Sequence, residues 1–189
     1  MSSPAFLLSL VLCISLVCPT VSFNKAAPRT PPTDPKDIKG HALLDATGIG
    51  NVEDVSKLLG EGVNPDYANE YGETACHLAA ISSKPELLKM LIAHGANCDL
   101  ATSGDYRGHE HKVHRTPLHW HVHGCQLEAV QILLDSGADV NFVNEVKETA
   151  LDIVTNFESD KPDCVALLKL LKDRGAMTAA DRTSSSHEL

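Results

Sequence analysis

Aromatic residues are scarce: one Trp, three Tyr and four Phe make up 4% of 189 residues, while Leu and Ala are abundant. So little ring area suits stacked helices better than the filled faces of a sheet sandwich. Positive charge is short as well, with 16 Lys and Arg against 25 Asp and Glu and a formal net charge of −9. Binding nucleic acid requires a basic stripe that releases counterions from phosphate. The densest basic stretch, Lys112 to Arg115, is too small to supply one. No apolar run is long enough to span a bilayer: AFLLSLVLCISLVC, residues 5–18, has fourteen residues, against the ~20 of a spanning helix. Catalytic signatures are absent too. There is no glycine-rich phosphate loop, no G-x-S-x-G elbow and no Cys/His pair beyond chance spacing. The expectation is a non-catalytic domain, and the length suits a single one.

The tails carry targeting signals rather than fold. Residues 1–22 read as a secretory signal peptide, with Thr20 and Ser22 as the small residues before a cut at Phe23 and Pro19 closing the apolar segment. Met1 to Pro4 bring no Lys or Arg, so a retained N-terminus is the alternative. Residues 23–37, with Pro28, Pro31, Pro32 and Pro35 and few large apolar side chains, read as a disordered linker. Ser186-His187-Glu188-Leu189 resembles an endoplasmic-reticulum retrieval signal, with His187 where an acid is usual. The expected location is the secretory pathway, lumenal or secreted. A signal peptide followed by Phe and a Pro/Ala/Thr-rich stretch also resembles algal plastid presequences, which keeps that compartment open.

Between the tails the chain repeats itself. Four apolar runs each meet a glycine turn: SKLLGEGVNPD, LKMLIAHGANCD, VQILLDSGADVN and LLKLLKDRGAMT. Upstream lie Thr116-Pro117-Leu118-His119 and GETACHLAA, residues 72–80. These segments resemble the T-P-L-H-x-A signature of ankyrin repeats. The resemblance implies an all-α solenoid of four helix-turn-helix repeats with hairpin loops, over roughly residues 38–177.

Counting fixes the register. The marker positions His41, Thr74, Thr116 and Thr149 are separated by 33, 42 and 33 residues. Gly62, Gly95 and Gly137 each lie 21 residues past their marker, and Gly175 lies 26 past. A nine-residue insertion therefore falls between Asp99 and Arg115, and a five-residue insertion near Asn156 to Asp163. The expected units are 38–70, 71–113, 114–145 and 146–177, followed by a polar tail, 178–189.

Each unit has a physical rationale. Pro117 in a first helical turn forfeits no hydrogen bond. Leu118, His121 and Val122 share one helical face, as do Cys76, Ala79 and Ala80, and that face should be buried. The four turn glycines should be left-handed helix ends. One unit cannot cover its own apolar side, so neighbours must stack and the terminal units are atypical. His41 and Leu44 replace the motif Thr and His in the first repeat, and Asp152 replaces His in the fourth.

Six histidines crowd residues 109–123. By the resemblance, His77 and His119 hydrogen-bond the backbone between adjacent repeats. His121 takes the place of a packed Ala and is expected to be a satisfied, partly buried ring. His109, His111 and His114 lie in the inserted loop, where HEHKVH narrowly misses the H-E-x-x-H zinc motif. A zinc or copper site would draw on His111, His114, His119 and His123, the last two spaced i, i+4. Otherwise the loop is a polar recognition element whose charge changes between pH 5 and 7. No other cofactor is expected. Cys76, at the motif Leu, reads as a free buried thiol. Equivalent atoms of adjacent repeats are ~10 Å apart, beyond disulfide reach. Only the insertion ahead of Cys164 could let it meet Cys125, so no disulfide framework is expected.

Recognition by stacked repeats belongs to the concave face, which varies without disturbing the stack. The register puts Leu78, Ile81, Trp120, His123, Ile153, Asn156 and Phe157 there. Tyr67, Asn69, Glu70, Tyr71, Tyr106, Arg107, Phe142 and Asn144 belong to hairpin tips. Trp120, the sole tryptophan, is the expected hot spot. The partner is another protein with a basic fringe, matching an apolar centre and acidic rim. Self-association is also open.

Overall fold

Gly62, Gly95, Gly137 and Gly175 all take left-handed φ, at 77°, 85°, 95° and 77°, and each follows an apolar helix that it terminates. The computed structural model describes residues 34–103, 114–156 and 161–185. Within these the helices are α1 (Pro35–Ile49), α2 (Val52–Gly60), α3 (Ala75–Ser82), α4 (Pro85–Ala93), α5 (Pro117–His123), α6 (Leu127–Asp135), α7 (Ala150–Asn156), α8 (Pro162–Asp173) and α9 (Ala179–Ser185). The remaining regular pairing among the described residues is one antiparallel bridge, Ala68 to Thr74, at the base of a hairpin.

Helices pair as α1/α2, α3/α4, α5/α6 and α7/α8, and the pairs stack: α1, α3, α5 and α7 form one row, α2, α4, α6 and α8 the other. The all-helical solenoid read from the sequence is therefore the fold. One continuous core runs from Leu43 through Leu88, Leu118 and Leu133 to Leu151 and Leu171, with Ile132 packed against it. Each fully buried Leu contributes ~1.5–3 kcal/mol. Among the described residues no helix is long and apolar enough to cross a membrane.

The marker threonines start the inner helices. Thr74 caps α3 and Thr116 caps α5 in capping boxes completed by His77 and His119. The Thr74 N–H donates to His77 Nδ1 at 3.1 Å, leaving Nε2–H to donate to the Arg115 carbonyl at 2.9 Å, across the repeat boundary. In the fourth repeat Asp152 does this work, accepting from Thr149 N and Oγ1 at 2.9 Å each. It also accepts the Ala179 N–H at 2.9 Å, while Thr149 Oγ1 reaches the Met177 carbonyl at 2.9 Å. The residues read as a polar tail thus begin a further helix, α9, opened by Thr178 and Asp181 with the same mutual bonds as Thr149 and Asp152. At the other end α1 starts at Pro35, capped by Asp34, inside the stretch read as linker.

A ladder of short polar side chains ties successive hairpins. Asp66 accepts the Asn97 N–H at 2.7 Å, Asp99 that of Asp139 at 3.1 Å, and Asn141 that of Met177 at 2.7 Å. Each rung is braced within its repeat, because Asn64, Asn97 and Asp139 accept the N–H two residues on. The ladder spans three boundaries.

The cysteines depart from expectation. Cys76 is bonded to Cys98, with Cα atoms 5.6 Å apart, and Cys125 to Cys164, at 4.9 Å. The first bond lies inside one repeat, joining its inner helix to its hairpin, a pairing that a comparison of equivalent positions does not consider. The second joins residues that are not register-equivalent, so the spacing between equivalent atoms does not apply to it.

Candidate interaction surface

The inner row of helices sets the candidate surface. Because α3 and α5 pack side by side, Leu78 and Trp120, each four residues past its marker, are neighbours in register, as are Ile81 and His123, seven past. Leu78, Trp120 and His123 are half-buried, and Ile81 is 47% exposed. Asn156 is exposed at the matching position of α7, but Ile153, expected on the same face, is buried among the core residues. The apolar strip therefore ends at Trp120.

Trp120 is fixed from beneath. Its ring meets His77 edge-on, with centroids 5.6 Å apart and planes at 74°. His77 is itself held by Thr74 and the Arg115 carbonyl. Burial keeps the His77 ring neutral and lowers its pKa to about 4, against the opposing pull of the Arg115 carbonyl. His123 is also pushed down, by burial first and by Arg115 second, while Glu148 works the other way.

The tips divide. Tyr67 packs on Gly40 and edge-on against His41, 5.3 Å between centroids, so much of its ring serves the stack. Phe142 meets His119 edge-on at 5.8 Å. Tyr71 is half-buried, and its carbonyl accepts the Ser103 N–H at 2.8 Å, closing the base of the inserted segment. Asn144 is not a contact residue: at 2% exposure it accepts the Glu148 N–H at 2.9 Å, holding the hairpin turn from within. The acidic side chains beside these tips, Glu70 and Glu145, are exposed. Tyr106, Arg107 and Phe157 lie outside the described residues.

His121 is hydrogen-bonded, as expected, and buried more fully than expected. It is 1% exposed, with Nδ1 2.7 Å from Gln126 Oε1 and Nε2 3.3 Å from the Cys76 carbonyl of the preceding repeat. Gln126 in turn donates to the Ala80 carbonyl at 2.6 Å and to Ser83 Oγ at 3.0 Å. A polar chain of three side chains thus crosses the boundary between the second and third repeats, and it fills the site where Ala would pack.

Among the described residues His114, His119 and His123 do not assemble a metal set. His119 is buried with Nδ1 2.8 Å from Thr116 Oγ1, while Nε2 faces the Glu148 carbonyl without closing a hydrogen bond of normal geometry. It therefore cannot pair with His123 as an open i, i+4 ligand face. His114 engages both ring nitrogens, Nε2 3.1 Å from the Ser103 carbonyl and Nδ1 2.9 Å from Glu145. His109 and His111 lie outside the described residues, and among the described ones no cluster of three or more ligating side chains forms.

Comparison with known proteins agrees with the geometry. Residues 42–144 match the family model described as ankyrin repeats in three copies, more than half the chain. The chain is 30% identical to the palmitoyltransferase Hip14 of Drosophila melanogaster over 112 residues, 59% of this chain and 16% of that protein. It is 39% identical to mouse protein phosphatase 1 regulatory subunit 12A over 82 residues, 43% of this chain and 7% of that one. It is 34% identical to the mouse B-cell lymphoma 3 protein homolog over 140 residues, 71% of this chain and 28% of that one. In each case it spans only a small part of the relative. Stacked helix pairs, threonine-led inner helices, glycine-ended outer helices and the matched family model together establish that this chain belongs to the ankyrin repeat family.

Proposed function

We propose that the domain is a non-catalytic protein-binding module that engages its partner through the strip Leu78, Ile81, Trp120 and His123. Ankyrin repeats generally mediate protein–protein interaction, and the finer assignment to this strip rests on Trp120. Its ring is partly exposed yet braced by His77, so little conformational freedom is lost when a partner covers it. Exposed Glu70 and Glu145 at the hairpin tips favour a partner segment with an apolar anchor and flanking Lys or Arg. Among the described residues every cysteine is paired, which supports entry into an oxidising, secretory route. The reading as a metal-responsive protein is less supported, since His114 meets Ser103 and Glu145 and His119 is buried.

The test is affinity capture from secretory-pathway lysate with the full chain, its Trp120→Ala variant and a Val165→Ala control on exposed outer helix α8. The proposal expects a specific partner held by the parent and by the control but lost by Trp120→Ala, with unchanged circular dichroism. Equal capture by all three moves recognition off this face. A saturable change in Trp120 fluorescence at micromolar zinc would revive the metal reading.

A further inference from the structure

Cys125 and Cys164 occupy positions that touch at every described junction between repeats. Nine residues past the markers stand Gly50, Ser83 and Cys125, all left-handed with φ of 76°, 52° and 51°. Eleven residues before the turn glycines of the following repeats stand Lys84, Gln126 and Cys164. At the first junction Lys84 Nζ donates to the Gly50 carbonyl at 2.7 Å. At the second Gln126 Nε2 donates to Ser83 Oγ at 3.0 Å. At the third the same two places hold the Cys125–Cys164 disulfide. Stacking alone brings these positions together, so the covalent bond is an addition to a contact that exists without it.

The two disulfides differ in access. Cys76 and Cys98 are 1% and 7% exposed, sealed within their repeat. Cys125 is half-buried at a surface turn, whereas Cys164 is 4% exposed. An incoming thiolate therefore meets Cys125 first. Its departing partner, Cys164, is the third residue of the twelve-residue helix α8. The positive end of the helix dipole there favours a thiolate, and a stabilised leaving group speeds exchange.

We propose that Cys125–Cys164 is a reversible thiol–disulfide exchange site whose co-reactant is a Cys-x-x-Cys dithiol. One thiolate of the dithiol forms a bond to Cys125 Sγ, the Cys125–Cys164 bond breaks, and Cys164 leaves as a thiolate that takes a proton from water. The second thiolate of the dithiol then attacks its own partner sulfur in the mixed disulfide and releases Cys125 as a thiolate. Two electrons pass from dithiol to disulfide, and the dithiol ends oxidised. The helices of the fourth repeat stay stacked through α5/α7 and α6/α8, so the freed thiols remain neighbours and reoxidise.

The experiment uses the oxidised full chain with dithiothreitol, followed by alkylation and peptide mapping over time. Cys125 and Cys164 should be labelled about tenfold sooner than Cys76 and Cys98, with the far-ultraviolet dichroism unchanged and the bond restored by oxidised glutathione. A thioredoxin-type probe with its resolving cysteine replaced by serine should be trapped on Cys125. Equal labelling rates, earlier opening of Cys76–Cys98, trapping on Cys164, or reduction only with loss of helical signal would each overturn the proposal.

Discussion

The Asp99 carboxylate receives the backbone N–H of Asp139 on both oxygens, at 3.1 and 3.3 Å. It is the one rung of the hairpin ladder in which one acid reaches the backbone of another. Burial pushes the Asp99 carboxyl up from its ordinary value, the bond from Asp139 N–H pulls it down, and the Asp139 charge raises it again. At the next rung Asn141 makes the same bond with a neutral oxygen.

Asp99→Asn is therefore expected to stabilise the domain by about 0.5 kcal/mol at pH 7, the scale of a partly exposed charge effect. A raised folded pKa means that ionised Asp99 costs stability at neutral pH. The gain from Asn should fade as pH falls through the raised Asp99 value toward 3.8. Urea midpoints at pH 7 and pH 4 check both the sign and the fading. Asn141→Ala should act oppositely, losing about 1–2 kcal/mol, because it releases the Met177 N–H and the Gly175 carbonyl.

Acid should loosen the stack before carboxylates are exhausted. Burial holds folded His77 and His119 at about 4, against 6.5 for a free ring, and pushes His121 down as well. The unfolded chain takes up these protons near pH 6.5 while the fold refuses them. Stability should be level above pH 6.5 and decline toward pH 4, by about 1.4 kcal/mol per pH unit for each such histidine. Denaturant unfolding across pH 7.5 to 4.5 measures the slope; a flat profile would contradict the burial of these rings.

His121→Ala discriminates two views of one position. If the ring overpacks a site shaped for Ala, its removal should stabilise. The short contact with Gln126 Oε1, to which the neutral ring donates its one N–H, instead predicts a loss of about 2 kcal/mol, from an unsatisfied partner and an unfilled space. Thermal unfolding of the variant, with both disulfides intact, decides.

Gly40→Ala should destabilise α1 by about 1–3 kcal/mol, although Ala is the better helix former by ~1 kcal/mol. A Cβ at residue 40 would run into the Tyr67 ring. Tyr67→Ala in the same chain should recover part of that loss, a coupling visible in a double-mutant cycle.

Much of this architecture can be read from letters alone. The spacing of Thr74, Thr116 and Thr149 marks the starts of α3, α5 and α7, and the glycine turns close the outer helices as expected, whereas His41 lies inside α1, six residues past its start at Pro35. Trp120 is half-buried where the register put it. Ile153 and Asn144 show the limit of that method, because a repeat register gives angular position and not depth. Asn144 resembles a tip residue by sequence, yet its side chain holds the turn leading to Glu148. The Cys76–Cys98 bond was illegible for a related reason: it links a core position to a hairpin position of one unit, a contact that no periodicity encodes. The ladder through Asp66, Asp99 and Asn141 is the signal that counting could have found, since short polar residues recur at one register position.

The graded chemistry behind the turns gives the rod a mechanical direction. One ammonium–carbonyl contact secures the amino-terminal joint at Lys84, amides and a hydroxyl secure the middle, and sulfur secures the joint at Cys164. Pulled from both ends, such a column should shed its units in order from the amino side, with the crosslinked pair the last to part.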